Sequence, residues 1–232
     1  MQNSGCMQII EKFVVGYSVK NHSIDLYKIF NESKKNLFSV FFLGGVHGNE
    51  SEGFLFLEKF LEEIQKNEIK IPEGVQLFIC PRNNPDGCSV LRRTNQNNVD
   101  LNRNLPTKDW TNEFTEPKYY PGPNPASEPE TKAILTIIEN IKPKFIISFH
   151  SYENPMINYN GNCLDLAREM SRYNSLEPKE DIGYPTPGSL GTYCGFERNI
   201  PTITLEILRG QEPDKVWRQH LKAIVKSLEF YL

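Results

Sequence analysis

Leu37-Phe38-Ser39-Val40-Phe41-Phe42-Leu43-Gly44-Gly45-Val46-His47-Gly48-Asn49-Glu50 is the stretch that decides the fold. Its apolar run predicts a buried strand, and the paired glycines predict a turn that ends it. His47 and Glu50 then fall at the strand's C-terminal edge, where open α/β sheets build their sites. Phe145-Ile146-Ile147-Ser148-Phe149 reads as a second such strand and delivers His150 to the same kind of edge. In Ile200-Pro201-Thr202-Ile203-Thr204-Leu205-Glu206-Ile207 strict alternation sets Thr202, Thr204 and Glu206 on one face and Ile203, Leu205 and Ile207 on the other.

Outward from these strands the pattern is that of one layered α/β unit over residues 1–232. Phe13–Tyr17 and Ile24–Phe30, with Asn21-His22 between them, predict an antiparallel hairpin. Helical periodicity runs through Phe54–Ile64, Glu130–Ile141, Leu164–Tyr173 and Asp214–Leu232, and Val75–Ile79 is a further strand. In the closing helix the stripe of Val216, Trp217, Leu221, Ile224, Val225 and Leu228 predicts core contact, and His220 within it is a packing or surface residue. Asn83 to Pro125 is long, polar and rich in Asn and Pro; loops of that length in a compact domain are usually functional.

The chemistry-bearing residues gather at the strand edges. Catalytic zinc sites commonly use two His and one Glu, leaving a fourth position open. His47, Glu50 and His150 supply that set, the H-x-x-E pair fixing two corners locally and the fold bringing the third. Glu206, on a polar strand face, is the candidate general base that takes a proton from the attacking water and later passes it to the leaving amine.

Composition excludes several classes of function. A net charge of −3 with scattered basic residues gives no footprint for nucleic acid or an anionic membrane. No segment reaches the roughly twenty apolar residues needed to span a bilayer. The five cysteines, Cys6, Cys80, Cys88, Cys163 and Cys194, are odd in number and lack C-x-x-C spacing, which argues against a disulfide framework and for a reducing compartment. The first eight residues lack the basic and apolar regions of a signal peptide, so the expected location is cytoplasmic.

Seven motifs in one order resemble the M14 zinc metallocarboxypeptidases of the carboxypeptidase A type. They are H-x-x-E at His47 and Glu50, Asn84-Pro85-Asp86-Gly87, Leu91-Arg92-Arg93-Thr94, Asp100-Leu101-Asn102-Arg103-Asn104, Ser127-Glu128-Pro129-Glu130, His150-Ser151-Tyr152 and the strand ending in Glu206. The resemblance implies a mixed, largely parallel central sheet flanked by helices on both faces. It also implies one zinc ion on His47, Glu50 and His150, with Glu206 as general base and acid. Asn102 and Arg103 would grip a peptide's terminal carboxylate, a task suited to the planar guanidinium fork. Arg92 would stabilise the oxyanion, with Arg93 in that place if the register slips by one. Tyr184 would close over the substrate, and Ser151, Tyr152 and Gly191 would border it.

Within the family the chain is most similar to small bacterial murein peptide amidases, through Gly44–Glu50, the Tyr120–Glu130 stretch and Gly183–Gly191. That likeness implies cleavage of the γ-D-glutamyl to meso-diaminopimelate amide of cell-wall peptides. Gly191, seven residues after Tyr184, leaves space and no charge where digestive relatives place a selecting side chain. A zinc deacylase of N-acyl amino acids shares the Gly-Gly-x-His-Gly-Asn-Glu start and remains an alternative. So does a non-catalytic module that binds peptidoglycan peptides.

Overall fold

The computed structural model describes residues 8–32 and 38–232; the N-terminal stretch with Cys6, and Leu37, lie outside them. The apolar run becomes β3 (Phe38–Leu43), central in an eight-stranded sheet with β1 (Gln8–Tyr17), β2 (Ser23–Asn31), β4 (Val75–Cys80), β5 (Phe145–Tyr152), β6 (Met156–Asn160), β7 (Pro178–Lys179) and β8 (Thr202–Leu208). Their order is β1-β2-β4-β3-β5-β8-β6-β7. The middle, β4-β3-β5-β8, is parallel throughout, as is β6-β7, whereas β1-β2, β2-β4 and β6-β8 are antiparallel. The sheet is thus mixed and mostly parallel.

Period-two side-chain direction divides the apolar residues between two cores. Val40, Phe42, Phe145, Ile147, Phe149, Ile203 and Leu205 face one layer, packed with residues of α1 (Ser51–Gln65), α4 (Leu164–Asn174) and α5 (Pro213–Glu229). Phe41, Leu43, Phe78 and Ile146 face the other, with Ala133, Ile134, Ile137 and Ile138 of α3 (Pro129–Ile141). Helices therefore cover both faces. The fifth helix, α2 (Pro85–Ser89), is a short piece within the long loop, capped by Asn84 Oδ1 accepting from Gly87 N at 2.9 Å. No helix among the described residues is long and apolar enough to cross a membrane.

Differences from the sequence reading fall around the site. Strand β5 runs on to Tyr152, so His150 stands inside the strand and not beyond it. The strands β6 and β7 and a π-helical turn at Gly191–Phe196 were not anticipated. Met156–Asn160 is short and carries two asparagines, so its apolar content is too low to announce a strand; pairing with β8 makes it one.

His220 in α5 is wholly buried; its Nδ1 lies 3.4 Å from Asn174 Nδ2, and Nε2 has no partner among the described residues. Burial pushes its pKa down to about 4 from the usual 6.5. Above pH 6.5 both folded and unfolded forms are neutral. As the pH falls towards 4 the unfolded chain takes up the proton first, so this residue removes about 1.4 kcal/mol of stability per pH unit across that window. Urea unfolding from pH 7 to 4 is expected to show this slope, and His220→Leu to flatten it; an unchanged slope in the variant would count against the assignment.

Candidate active site

Register places the key side chains. In the parallel β5-β8 pair His150 stands opposite Glu206 and Ser148 opposite Thr204; in the antiparallel β6-β8 pair Asn158 stands opposite Thr204 and Asn160 opposite Thr202. Directly paired residues share a face. One face of the sheet thus carries a polar stripe at its C-terminal side, while the residues between fill the opposite core. β3 ends beside β5, and the turn after it brings in His47 and Glu50, with α1 starting at Ser51.

The turn is held by backbone packed on backbone. A Cβ on Gly48 would lie 2.0 Å from the carbonyl carbon of Gly87, so the Gly of H-G-N-E is needed for the turn to pack on the backbone of N-P-D-G. In that second motif Asp86 is structural: its carboxylate accepts from Ser18 Oγ at 2.8 Å and Lys20 N at 3.0 Å, and lies 2.7 Å from His22 Nδ1. His22 is the turn residue expected. The Ser-Glu-Pro-Glu motif is structural as well, since Glu128 and Glu130 both accept from Asn95 Nδ2, at 2.7 and 3.0 Å, bracing the loop that leads to Asp100.

His47, Glu50 and His150 are all buried, and one ligand atom from each lies within 4.8 Å of the others. His47 Nδ1 is 3.1 Å from Glu50 Oε1, His150 Nδ1 is 2.9 Å from Glu50 Oε2, and the two Nδ1 atoms are 3.2 Å apart. Two ring nitrogens on a tetrahedral zinc with ordinary bond lengths would be roughly 3.4 Å apart. Each imidazole is oriented from behind: His47 Nε2 lies 2.8 Å from Asp100 Oδ1 and His150 Nε2 3.0 Å from Ser148 Oγ. Such partners leave the other nitrogen of each ring free for a metal. The donor set, its spacing and its orientation fit a divalent ion of the zinc type.

The electrostatics agree. Burial alone would raise the Asp100 carboxyl, but Arg93 and His47 hold it far below the usual carboxylate range. Glu50 is likewise kept ionised against its burial by His47 and His150. Glu206 differs: burial pushes its carboxyl up to about 7, Glu50 reinforces the rise, and His150, Arg93 and Arg209 oppose it. Two carboxylates in one site with opposite shifts separate a permanent anion from a proton carrier.

Of the adjacent pair Arg92 and Arg93, it is Arg93 that borders the cleft. Arg93 Nη2 and Nε donate to Asp100 Oδ2 at 2.8 and 3.1 Å, and Nη1 to Glu50 Oε1 at 3.2 Å. Arg92 turns away, donating to Asn95 O at 2.6 Å and Thr94 O at 3.4 Å. Leu91, just before the pair, takes a positive φ of 51°. Sequence spacing could not show that twist.

The cleft has a volume of about 360 Å³ and is bordered by Asn102, Arg103, Ser151, Tyr152, Tyr184 and Gly191 as well as the residues above. Asn102 Oδ1 accepts from Leu190 N at 2.9 Å, and Arg103 Nη1 donates to Asn102 O at 2.7 Å. The Tyr152 and Tyr184 rings meet edge-on with centroids 6.4 Å apart. The Ser151 hydroxyl is committed to Glu52 Oε2 at 2.6 Å and its N–H donates to Glu50 Oε2 at 3.2 Å. Gly191 does not leave open space: a Cβ there would lie 2.4 Å from Asn160 Oδ1. The glycine makes room for an asparagine, and the pocket wall is polar where the sequence reading had it empty. Asn158, Asn160 and Arg209 border the cleft too and went unread in the sequence. The Asn-x-Asn alternation and an arginine three residues beyond Glu206 were the signals available.

A buried His-Glu-His set at the C-terminal edge of parallel strands, faced by a buried carboxylate and arginines, defines a metallohydrolase. The zinc carboxypeptidase family profile matches residues 2–193, and the chain belongs to that family. It is a peptide hydrolase. Murein peptide amidase A of Vibrio campbellii is 33% identical over 202 residues, covering 81% of this chain and 76% of the relative. The Escherichia coli K12 protein of the same name is 32% identical over 179 residues, covering 71% and 69%. The crystal structure of murein-tripeptide amidase from Escherichia coli O157 matches with a TM-score of 0.75 at 25% identity, covering 94% of this chain and 91% of that one. Bovine thrombin-activatable fibrinolysis inhibitor, at 21% identity and a TM-score of 0.77, covers 96% and 90% and shares the fold.

Proposed function

We propose that this chain is a zinc-dependent amidase that releases meso-diaminopimelate from γ-D-glutamyl-meso-diaminopimelate in murein peptides. The observation that carries the reading is the convergence of His47, Glu50 and His150 beside Glu206 in a cleft that also holds Asn102 and Arg103. Likeness to murein peptide amidase A supports the choice of substrate. The polar wall of Asn158 and Asn160 suits a C-terminal residue whose far end is itself polar, as in diaminopimelate. Four of the cysteines are free and buried, which suits action on imported fragments in a reducing cytoplasm.

A zinc ion on the three ligands would act as a Lewis acid on the scissile carbonyl and make water a stronger acid. The rest of the work belongs to the chain. Asn102 and Arg103 bind the terminal carboxylate and so admit cleavage of one C-terminal residue only. Glu206 accepts a proton from the attacking water and returns it to the leaving nitrogen. Arg93 stabilises the oxyanion, and Tyr184 and Tyr152 exclude solvent as they close on the peptide.

Mass spectrometry of products from zinc-loaded protein tests the reading, using L-alanyl-γ-D-glutamyl-meso-diaminopimelate, ordinary C-terminal dipeptides and N-acyl amino acids. Release of diaminopimelate is the expected result. Hydrolysis of ordinary peptides alone would keep the family and overturn the substrate; hydrolysis of acyl amino acids alone would make it a deacylase, and binding without turnover a peptide sensor. The oxyanion role has its own check. Arg93→Ala is expected to lower kcat by roughly 10²- to 10³-fold, whereas Arg92→Ala stays within a few-fold; the reverse ranking would restore Arg92.

A further inference from the structure

Among the guanidinium groups bordering the cleft, Arg103 and Arg93 have tasks in the reaction above; Arg209 has none. Arg209 directly follows the last residue of β8. Its Nη2 donates to Ser151 O at 2.7 Å and to Glu50 Oε1 at 3.2 Å. The donors on Nε and Nη1 engage no group among the described residues, and the side chain is 36% exposed, so it is anchored at one corner and open elsewhere. An anchored guanidinium with free donors loses little freedom when it takes an anion.

Its position selects which anion. Asn102, bonded to Leu190 N, ties the terminal-carboxylate end of the cleft to the wall formed by the π-helical turn. Arg209 is tied instead to Glu50, itself one of the three candidate ligands, and to Ser151, the residue after His150. A peptide whose last residue lies against Asn102 and Arg103 presents its scissile carbonyl to the metal group. Its penultimate residue then lies beyond, beside Ser151, Tyr152 and Arg209. In an α-linked peptide that residue continues as neutral amide. In a γ-linked glutamyl residue the chain runs through the side-chain carboxyl, and the α-carboxylate is left free a few bonds from the scissile carbonyl.

We infer that Arg209 binds this free α-carboxylate and thereby selects γ-glutamyl over α-linked substrates. The inference rests on the γ-D-glutamyl reading above and adds the residue that enforces it. It also accounts for a cationic side chain kept beside the metal site, where a like charge would otherwise weaken cation binding: the ionised Glu50 oxygen offsets it, and the substrate's second anion uses it.

The test compares L-alanyl-γ-D-glutamyl-meso-diaminopimelate with the same peptide carrying a carboxamide in place of the α-carboxylate, in wild type, Arg209→Lys and Arg209→Gln, with zinc content measured in each. Wild type is expected to favour the carboxylate by roughly ten- to a hundredfold in kcat/KM, the range of a hydrogen bond to a charged group. In Arg209→Gln the ratio between the two substrates falls towards one, and Arg209→Lys keeps part of it. If Arg209 only braces Glu50 and Ser151, both substrates slow equally, the ratio is unmoved and the inference is overturned. A wild type that shows no preference overturns it as well. Turnover of neither peptide by the wild type is a different failure, that of the γ-D-glutamyl reading itself.

Discussion

Glu206→Gln is expected to lower turnover by roughly 10²- to 10⁴-fold, the usual contribution of a positioned acid-base group, while the protein keeps one zinc per chain. The ground for the separation is register. Glu206 stands opposite His150 in the β5-β8 pair, close enough for the imidazole to oppose the rise that burial gives the carboxyl. Yet the convergent ligand set consists of His47, Glu50 and His150 without it. Gln has nearly the same volume and keeps hydrogen-bonding capacity, so the buried site loses a proton acceptor and little else. With burial raising its carboxyl to about 7, Glu206 lies near neutrality before any metal is present. A cation alongside lowers that value and favours the ionised, proton-accepting form. Kinetics, metal analysis and thermal unfolding on the same preparation decide the matter. Full activity in Glu206→Gln would sink the mechanism; loss of zinc would make Glu206 a ligand.

What the sequence could show depended on how local each contact is. The β3 strand, its glycine turn and the H-x-x-E pair are adjacent in the chain, and periodicity was enough to place them. His150 and Glu206 were each placed on a strand edge or face, but their being opposite one another is a property of β5-β8 pairing that no single segment contains. The choice between the two adjacent arginines shows the limit most sharply. Arg92 and Arg93 are chemically identical neighbours, and only the folded chain shows that Arg93 reaches Asp100 and Glu50 while Arg92 turns to Asn95. Gly191 is the opposite case, a residue rightly placed at the pocket and wrongly read, because the side chain filling its space, Asn160, comes from a strand too short to be recognised. Arg209 was silent for a related reason: its neighbours Glu50 and Ser151 are far away along the chain.

Removing the metal is expected to abolish activity and leave the fold standing, and His47→Ala is expected to lose both zinc and turnover. The apo site explains why the fold survives. Glu50 is compensated by Arg93, Arg209 and two imidazoles, all within 3.2 Å, so no isolated charge is left buried. Returning zinc at a thousand times its dissociation constant should then stabilise the protein by about 4 kcal/mol, visible as a raised unfolding midpoint. Protons compete for the same atoms. Burial and Arg93 disfavour a charge on His47, but Glu50 and Asp100 outweigh them and raise its pKa above the usual value. Zinc binding must displace that proton, so affinity falls as the pH drops through the His47 range, approaching tenfold per unit for one proton released. In Asp100→Asn the partner of His47 Nε2 loses its charge, and zinc should bind roughly ten- to a hundredfold more weakly. Chelator titrations at several pH values read both effects. Affinity independent of pH, or unchanged in Asp100→Asn, would show that His47 is not a ligand held in place by Asp100.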